Sequence, residues 1–292
     1  MESTNSSNFF IFTIGRMNPP TPGHLGLIKN LIEKALEINT DKVFIILSKT
    51  VDEKNPLACE NQSNTELSYK KELFDPMVRV LKEQMKQTIT EPSKKELLDN
   101  IRVITICVPD IKGATPFTPL YSIIYGNEAP YNFFTNLSAV SLFMIIGDDR
   151  ADLLDNVKKL FNGKEKIGSV NGQVLPREEM SRFSEMGCYQ LKDIDISSVP
   201  TNAFSASFVR NIVKCGLKDK FDDIYKPYMD EMTINKLYLS IQTGLQERID
   251  TGKKRKRGGR KSTRKNSKKS KTSKKNKTSK KIRKHITKRK IN

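Results

Sequence analysis

The stretch GRMNPPTPGHLGLIKNLI, Gly15–Ile32, is the strongest indication of the fold of this chain. It follows an apolar run, FFIFTI (Phe9–Ile14), which is typical of a short buried strand. Beyond it, apolar residues recur with helical spacing as far as Ile38. Thr21 is a favourable N-cap, and a proline directly after it suits the first helical position. We therefore expect a strand, a proline-rich loop and a helix whose first turn contains His24.

Short apolar runs alternate with helix-periodic segments along the body of the chain. The predicted strands are Phe9–Ile14, Val43–Leu47, Ile101–Val108, Ser141–Gly147 and, from an alternating pattern, Tyr189–Ser197. The predicted helices are 24–38, 67–85 with a break before Pro76, 150–161, 206–216 ended by Gly216, and one or two between 221 and 244. This order is typical of an α/β, Rossmann-like fold, with a parallel sheet and helices on both faces. Ligands of such sheets bind beyond the C-terminal ends of the strands.

The positive charge is concentrated at the C-terminal end. The formal net charge is +19, and 22 of the 52 Lys and Arg residues but none of the 33 Asp and Glu residues lie in 251–292. The tail has almost no apolar side chains with which to offset the entropy lost on ordering. We therefore expect a flexible N-terminus at 1–8, one domain at 9–250 and a disordered basic tail at 251–292.

The basic tail has three interpretations, all of which the sequence leaves open. Its lysines would release counterions from DNA or RNA and so bind nucleic acid without sequence preference. The run KKRKR, made of Lys253, Lys254, Arg255, Lys256 and Arg257, also fits a nuclear localisation signal. The third alternative is a solubilising tail without a partner. The sequence does not indicate an oligomeric state.

The four cysteines, Cys59, Cys107, Cys188 and Cys215, are widely spaced, with no CxxC or His/Cys cluster. This pattern suggests neither a zinc site nor a disulfide framework, so the expectation is reduced thiols in an intracellular protein of the cytoplasm or nucleus. The N-terminus lacks a secretory signal pattern, and no apolar run is long enough to span a membrane. We therefore expect no membrane partner.

The first turn of the helix after Thr21 has the features of an anion site. Gly23 lets another group approach the backbone closely. Backbone N–H groups and the helix dipole favour a negative charge at this point. His24, one of only two histidines in the chain, could donate a hydrogen bond to a phosphate oxygen there. For His24 taken alone, a polar first-turn residue behind a proline-shaped loop is the plainer alternative.

Three motifs together resemble the nucleotidylyltransferase superfamily. TPGH (Thr21–His24) is similar to its (H/T)-x-G-H signature. The longer GRMNPPTPGH looks like the Gly-Arg-initiated adenylyltransferases of the nicotinamide-mononucleotide type and the cytidylyltransferase-like proteins of large phages. SASFVR (Ser205–Arg210) resembles the family's S-x-T/S-x-x-R motif at the start of a late helix. GDDR (Gly147–Arg150) resembles its G-x-D motif at the end of the fourth strand. The Lys/Ser/Thr-rich tail is similar to tails of proteins from large DNA viruses.

The resemblance implies transfer of a nucleotidyl group from a nucleoside triphosphate to a small phosphorylated acceptor, with release of pyrophosphate. Catalysis would fall to His24, which stabilises charge on the α-phosphate, with Thr21 and Arg210. The implied nucleotide-binding residues are Gly15, Arg16, Asn18, Gly23, Ser205, Ser207 and Arg210, and the implied substrate-binding residues are Gly147, Asp149 and Arg150. Mg²⁺ would be carried on the triphosphate and not by a protein cage.

The G-R-x-N-P opening favours ATP, with an acceptor such as nicotinamide mononucleotide. A CTP-dependent cytidylyltransferase is one alternative, and a catalytically retired nucleotide-binding core with a nucleic-acid-binding tail is another. Nicotinamide is commonly stacked on a tryptophan in such enzymes. This chain has no tryptophan, so Tyr121, Tyr125 or Phe133 would have to take that role.

A weaker similarity concerns KNPL (Lys54–Leu57), which looks like a loop that precedes the helix after the second strand. The family often carries an arginine in that helix. Lys70 and Lys71 occupy the neighbourhood here.

Overall fold

The computed structural model describes residues 9–52, 54–60, 67–126, 139–176 and 185–258. Within them, five parallel strands form one sheet in the order β3-β2-β1-β4-β5. The strands are β1 (Phe9–Gly15), β2 (Lys42–Leu47), β3 (Arg102–Cys107), β4 (Val140–Gly147) and β5 (Ile167–Leu175). The strand order reverses at β1, which lies between β2 and β4. The predicted α/β, Rossmann-like fold is thereby confirmed.

Helices connect the strands and follow the last of them. They are α1 (Pro22–Glu37), α2 (Lys70–Thr88), α3 (Pro92–Asn100), α4 (Thr118–Tyr125), α5 (Ala151–Phe161), α6 (Cys188–Asp193), α7 (Ala206–Lys214), α8 (Lys218–Tyr225) and α9 (Glu231–Gly258). Short 3₁₀ turns lie at Asp148–Arg150, Ile196–Ser198 and Thr201–Ala203.

The sheet is covered on both faces, because successive side chains of each strand point to opposite sides. On one face, Ile11 and Ile45 pack against a core to which α1, α2, α7, α8 and α9 contribute. On the other face, Phe10, Phe12 and Phe44 pack against α4 and α5. The rings of Phe10 and Phe44 stack with centroids 4.2 Å apart. Burial on both faces explains why the central strands appear in the sequence as continuous apolar runs.

The fifth strand does not lie where the sequence predicted it. Residues 189–197 form most of α6 and the start of a 3₁₀ turn, and Leu191 and Ile196 are buried in the core. The fifth strand is Ile167–Leu175, an edge strand without a fully buried residue. Gly172 is needed there, since a Cβ would lie 2.7 Å from the backbone carbonyl oxygen of Met144 in the neighbouring strand. An exposed edge strand lacks the apolar run on which the prediction depended.

Helix α2 continues through Pro76, where the sequence predicted a break. Proline removes one i→i−4 hydrogen bond and crowds the preceding turn. Beyond it, however, Met77, Leu81 and Met85 are buried along one face of the helix. Burial of this face offsets the missing bond and keeps the helix continuous.

The last helix extends beyond the predicted domain boundary. We placed the start of the tail at residue 251, but α9 runs to Gly258 and includes the basic run at 253–257. The chain divides into two units, Met1–Lys253 and Lys254–Asn292, and the sheet belongs to the first. The predictions for residues 1–8 and 259–292 lie outside the described residues.

The expectation of four reduced thiols is wrong. Cys59 is bonded to Cys107 and Cys188 to Cys215, with Cα atoms 5.9 Å and 5.3 Å apart. The first disulfide joins the loop before α2 to the end of β3, and the second joins the start of α6 to the end of α7. The partners are 48 and 27 residues apart in sequence. They meet only through the tertiary fold, so local spacing gave no signal.

Candidate functional site

The residues predicted to form the site lie beyond the C-terminal ends of β1 and β4. Gly15 ends β1 and Gly147 ends β4. The register pairs Phe12 with Met144, and its continuation sets Gly15 level with Gly147. This is the point where the strand order reverses, which is the crevice that binds ligands in open parallel sheets.

Hydrogen bonds at the start of α1 determine which ring nitrogen of the neutral His24 side chain carries the proton. Thr21 is the N-cap and His24 lies in the first turn, as predicted. The backbone N–H of Thr21 donates to His24 Nδ1 at 3.0 Å, and Thr21 Oγ1 lies 2.9 Å from the same nitrogen. Because a backbone N–H can only donate, Nδ1 must accept, and the proton of the neutral imidazole is on Nε2. The buried Thr21 therefore orients the ring and makes Nε2 a hydrogen-bond donor.

Gly23 permits a close approach by the protein's own backbone. A Cβ at this position would lie 2.8 Å from the carbonyl oxygen of Phe204 and 3.1 Å from that of Asn202. These carbonyls belong to the segment that leads into α7. Gly23 therefore allows the two helix starts, α1 and α7, to come together.

Replacing Gly23 by alanine should destabilise the fold by about 1–3 kcal/mol, because the added methyl group meets backbone that cannot rotate away. Gly26→Ala is the matched control in the same helix, since a Cβ there has nothing within 4 Å. That variant should be slightly stabilising, as alanine favours helix over glycine. Urea denaturation of both variants measures the difference. Equal stabilities would contradict the close approach.

Asn18 is buried and holds a second loop against the first one. Its Nδ2 donates to the Leu57 carbonyl at 2.7 Å, and its Oδ1 accepts from the Leu57 N–H at 3.0 Å. On the other side, the hydroxyl of the fully buried Tyr225 donates to the carbonyl of Pro20 at 2.7 Å. Burial raises the pKa of Tyr225. The side chain of Asn18, predicted to bind nucleotide, is thus engaged in shaping the loop.

Arg210, in α7, reaches the same loop from a distant part of the sequence. Its Nη1 donates to the carbonyl of Asn18 at 2.5 Å and its Nη2 to Ser207 Oγ at 2.9 Å. Burial lowers the pKa of Arg210, the charge of Asp52 opposes that shift, and the charge of Arg16 adds to it. Arg16 and Arg210 are therefore close enough to repel one another beyond the end of β1. Two guanidinium groups so placed favour an anion between them.

Asp52 is a member of this cluster that sequence analysis missed. Burial would raise its pKa, but hydrogen bonds from the Lys54 N–H and the Asn55 side chain, both 2.8 Å, and the charge of Arg16 hold it below its ordinary value. Asp52 is therefore ionised at neutral pH and partly balances the two arginines. Its only sequence signal is its place two residues before the KNPL loop.

The start of α7 presents two serines beside Arg210. Ser205 is the N-cap, and its Oγ accepts from the Phe208 N–H at 3.1 Å. Ser207 lies one turn before Arg210 and accepts its hydrogen bond. At the other end of the helix, Gly216 has a φ of 71° and ends α7 as predicted. The N-terminal end of α7, which carries both serines, therefore lies next to the start of α1.

Gly147, Asp149 and Arg150 lie at the β4 side of the crevice. Asp149 and Arg150 form part of the 3₁₀ turn after the strand, with Asp149 Oδ2 3.8 Å from Arg150 Nε. A Cβ on Gly147 would lie 2.9 Å from Asp149 Oδ1. The glycine therefore lets this carboxylate fold back over the strand end.

The aromatic residues considered as stacking partners lie elsewhere. Tyr125 donates its hydroxyl to the carbonyl of Glu165 at 3.0 Å, just before β5 begins. The ring of Tyr121 lies 4.6 Å from that of Phe161, the last residue of α5. Both tyrosines are thus at the N-terminal edge of the sheet, opposite the crevice. Phe133 lies outside the described residues.

The described part of the chain contains no group of three or more His, Cys, Asp or Glu side chains that could hold a metal ion. In the same residues, no helix combines the length and apolar character needed to cross a membrane. No protein-family model matches the chain, and comparisons with curated proteins and with solved structures gave no match.

Proposed function

We propose that the chain is a nucleotidyltransferase that moves AMP from ATP to a phosphorylated acceptor, such as nicotinamide mononucleotide, and releases pyrophosphate. The observation that carries the proposal is that Arg210 bonds to the loop between β1 and α1, close to Arg16, and that this loop leads into the helix start that carries His24. His24 offers the N–H of Nε2 as a hydrogen-bond donor, and the two arginines supply positive charge. A polyphosphate needs both, and the reversal point of a parallel sheet is where such ligands bind.

The triphosphate would lie between the starts of α1 and α7. Arg16 and Arg210 would neutralise its charge. Ser207 already accepts a hydrogen bond from Arg210, so its hydroxyl proton is directed to another acceptor, here a phosphate oxygen. Ser205 would contribute the N–H groups of the helix start that it caps.

An oxygen of the acceptor would attack the α-phosphorus in line, and the bond to the bridging oxygen would break as pyrophosphate leaves. His24 Nε2–H would donate to a non-bridging α-phosphate oxygen as charge develops there. Asp149 and Arg150, at the β4 side, would position the acceptor. Mg²⁺ would accompany the triphosphate and neutralise part of its charge. No covalent enzyme intermediate is needed.

The proposal is tested by pyrophosphate release from the full-length chain with Mg²⁺. ATP and CTP are each offered with nicotinamide mononucleotide, phosphopantetheine, flavin mononucleotide and phosphorylated alcohols. We expect release with ATP and one acceptor. Release with CTP alone would replace the proposal with a cytidylyltransferase. If no pair of nucleotide and acceptor gives pyrophosphate release while ATP still binds, the result would favour a nucleotide-binding core without catalytic activity.

A further inference from the structure

Lys70 is a buried cation at the edge of the crevice. It is the first residue of α2 and is fully inaccessible to solvent. Its Nζ donates to the carbonyl oxygens of Ser48, at 2.5 Å, and Arg16, at 3.3 Å, which directly follow β2 and β1. Its backbone N–H donates to the carbonyl of Ala58 at 3.1 Å. One residue therefore ties two strand ends and the loop before α2 together.

This ammonium group makes no ion pair with a carboxylate of the described residues. The charged residues described on the two strand-end loops and in the first turn of α2 are Arg16, Lys49, Asp52, Lys54, Glu60, Lys71 and Glu72. The acidic ones have other partners: Asp52 accepts from its own loop, Glu60 lies 3.8 Å from Lys71, and Glu72 accepts from the Tyr69 N–H at 3.0 Å. Lys49 lies 3.3 Å from Asp110. Among the residues that the structure describes, the charge on Lys70 is thus met only by carbonyl dipoles.

A buried charge without a counter-charge is unfavourable, and the N-terminal end of a helix makes it more so for a cation. Burial lowers the pKa of Lys70 to about 8. Near and above that pH, a growing fraction of the side chain is a neutral amine, which can still donate to both carbonyls. The two contacts with the strand ends therefore do not by themselves require the charge.

We propose that Lys70 is a positioning residue that holds the Arg16 backbone at the crevice and takes up a proton when a polyphosphate binds there. This inference rests on the proposed function. The bound anion supplies the negative charge that the surrounding protein lacks, so it stabilises the ammonium form. Below the pKa of the free protein, Lys70 is already charged and binding is strongest. Above it, binding must draw a proton from solution, and the affinity falls as the pH rises.

The test is calorimetric titration of the full-length protein with ATP and Mg²⁺ in two buffers of different ionisation enthalpy. Proton uptake should be near zero at pH 7 and approach one per ATP at pH 9. The affinity should fall by about tenfold between pH 8 and pH 9.5, the linkage expected for one group with these properties. The terminal phosphate titrates near pH 6 and contributes little in this range.

Two variants assign the proton to Lys70, and its neighbour provides the control. Lys70→Met removes the titrating group, and Lys70→Arg keeps a charge that does not titrate below pH 12. Each variant should abolish the proton uptake at pH 9. Lys70→Arg should retain more affinity for ATP than Lys70→Met. Lys71→Met removes an exposed lysine one position along and should leave the uptake unchanged. A merely structural role for Lys70 would lower stability without changing proton uptake in the folded variants.

The outcomes separate this inference from the proposed function. ATP binding without proton uptake at pH 9 in the wild-type protein would overturn the role of Lys70 and leave the nucleotidyltransferase proposal standing. Proton uptake at pH 9 that persists in both folded Lys70 variants would also overturn the role of Lys70 and leave the nucleotidyltransferase proposal standing. Failure of ATP and CTP to bind at any pH would overturn the proposed function, and the role of Lys70 with it.

Discussion

Replacing His24 by alanine should lower kcat by roughly 10²–10³-fold, the usual effect of removing one preorganised donor to a developing oxyanion. The change should leave the dissociation constant for ATP within a few-fold of the wild-type value, because in the proposed site Arg16 and Arg210 would supply most of the ground-state attraction. The fold should be retained, since His24 lies only partly buried at the start of α1. Pyrophosphate release under saturating ATP, together with an ATP titration, measures the two effects separately.

The chain offers a matched control for this experiment. His285 is the other histidine, and it lies outside the predicted domain. His285→Ala should retain wild-type turnover. A conservative check is Thr21→Val, which removes the hydroxyl beside His24 Nδ1 but keeps the backbone donor. It should cost far less than His24→Ala. Wild-type turnover in His24→Ala would remove the histidine from the mechanism.

Loss of both disulfides should remove most of the stability of the folded chain. Closing loops of 48 and 27 residues restricts the unfolded state by about 4 and about 3.5 kcal/mol in the chain-entropy model. Natural domains have about 5–15 kcal/mol in total. Urea denaturation with and without a reductant should therefore show a large shift of the midpoint. The paired variants Cys59→Ser/Cys107→Ser and Cys188→Ser/Cys215→Ser should each show about half of it.

A count of reactive thiols tests whether the two disulfides are present, and the expected loss of stability depends on their presence. The denatured but unreduced protein should expose no reactive thiol, since the described residues contain no free cysteine. Four thiols per chain under those conditions would contradict both disulfides. Disulfides form and persist mainly in oxidising surroundings. The thiol count therefore also tests whether the protein has been exposed to such surroundings.

The parts of the fold that sequence reasoning predicted were those with a dense local signal. Strands β1 to β4 were found within a residue or two, because each contains a run of buried apolar residues. The start of α1 and the end of α7 were found because Thr21 and Gly216 are strong helix-end residues. The edge strand β5 has neither an apolar run nor a distinctive turn, and it was missed.

The residues of the candidate site also divide into those with a local sequence signal and those without one. His24, Ser205 and Arg210 could be singled out because they sit in short motifs, each at the start of a helix. The motifs do not show that Asn18 would be engaged by Leu57, or that Lys70 would be buried without a carboxylate partner. Those properties depend on which loops meet in three dimensions, and one sequence does not contain that information in local form.

The contacts that close the crevice join residues far apart in the chain. Arg210 bonds to Asn18 across 192 positions, and Tyr225 bonds to Pro20 across 205. Such long-range contacts require costly chain closure, so they tend to form late in folding. During synthesis, His24 emerges well before the helix that carries Arg210 is made. A nascent or prematurely ended chain therefore displays the first motif without the contacts that complete the proposed nucleotide site, and the proposed activity should appear only when the body of the protein is complete.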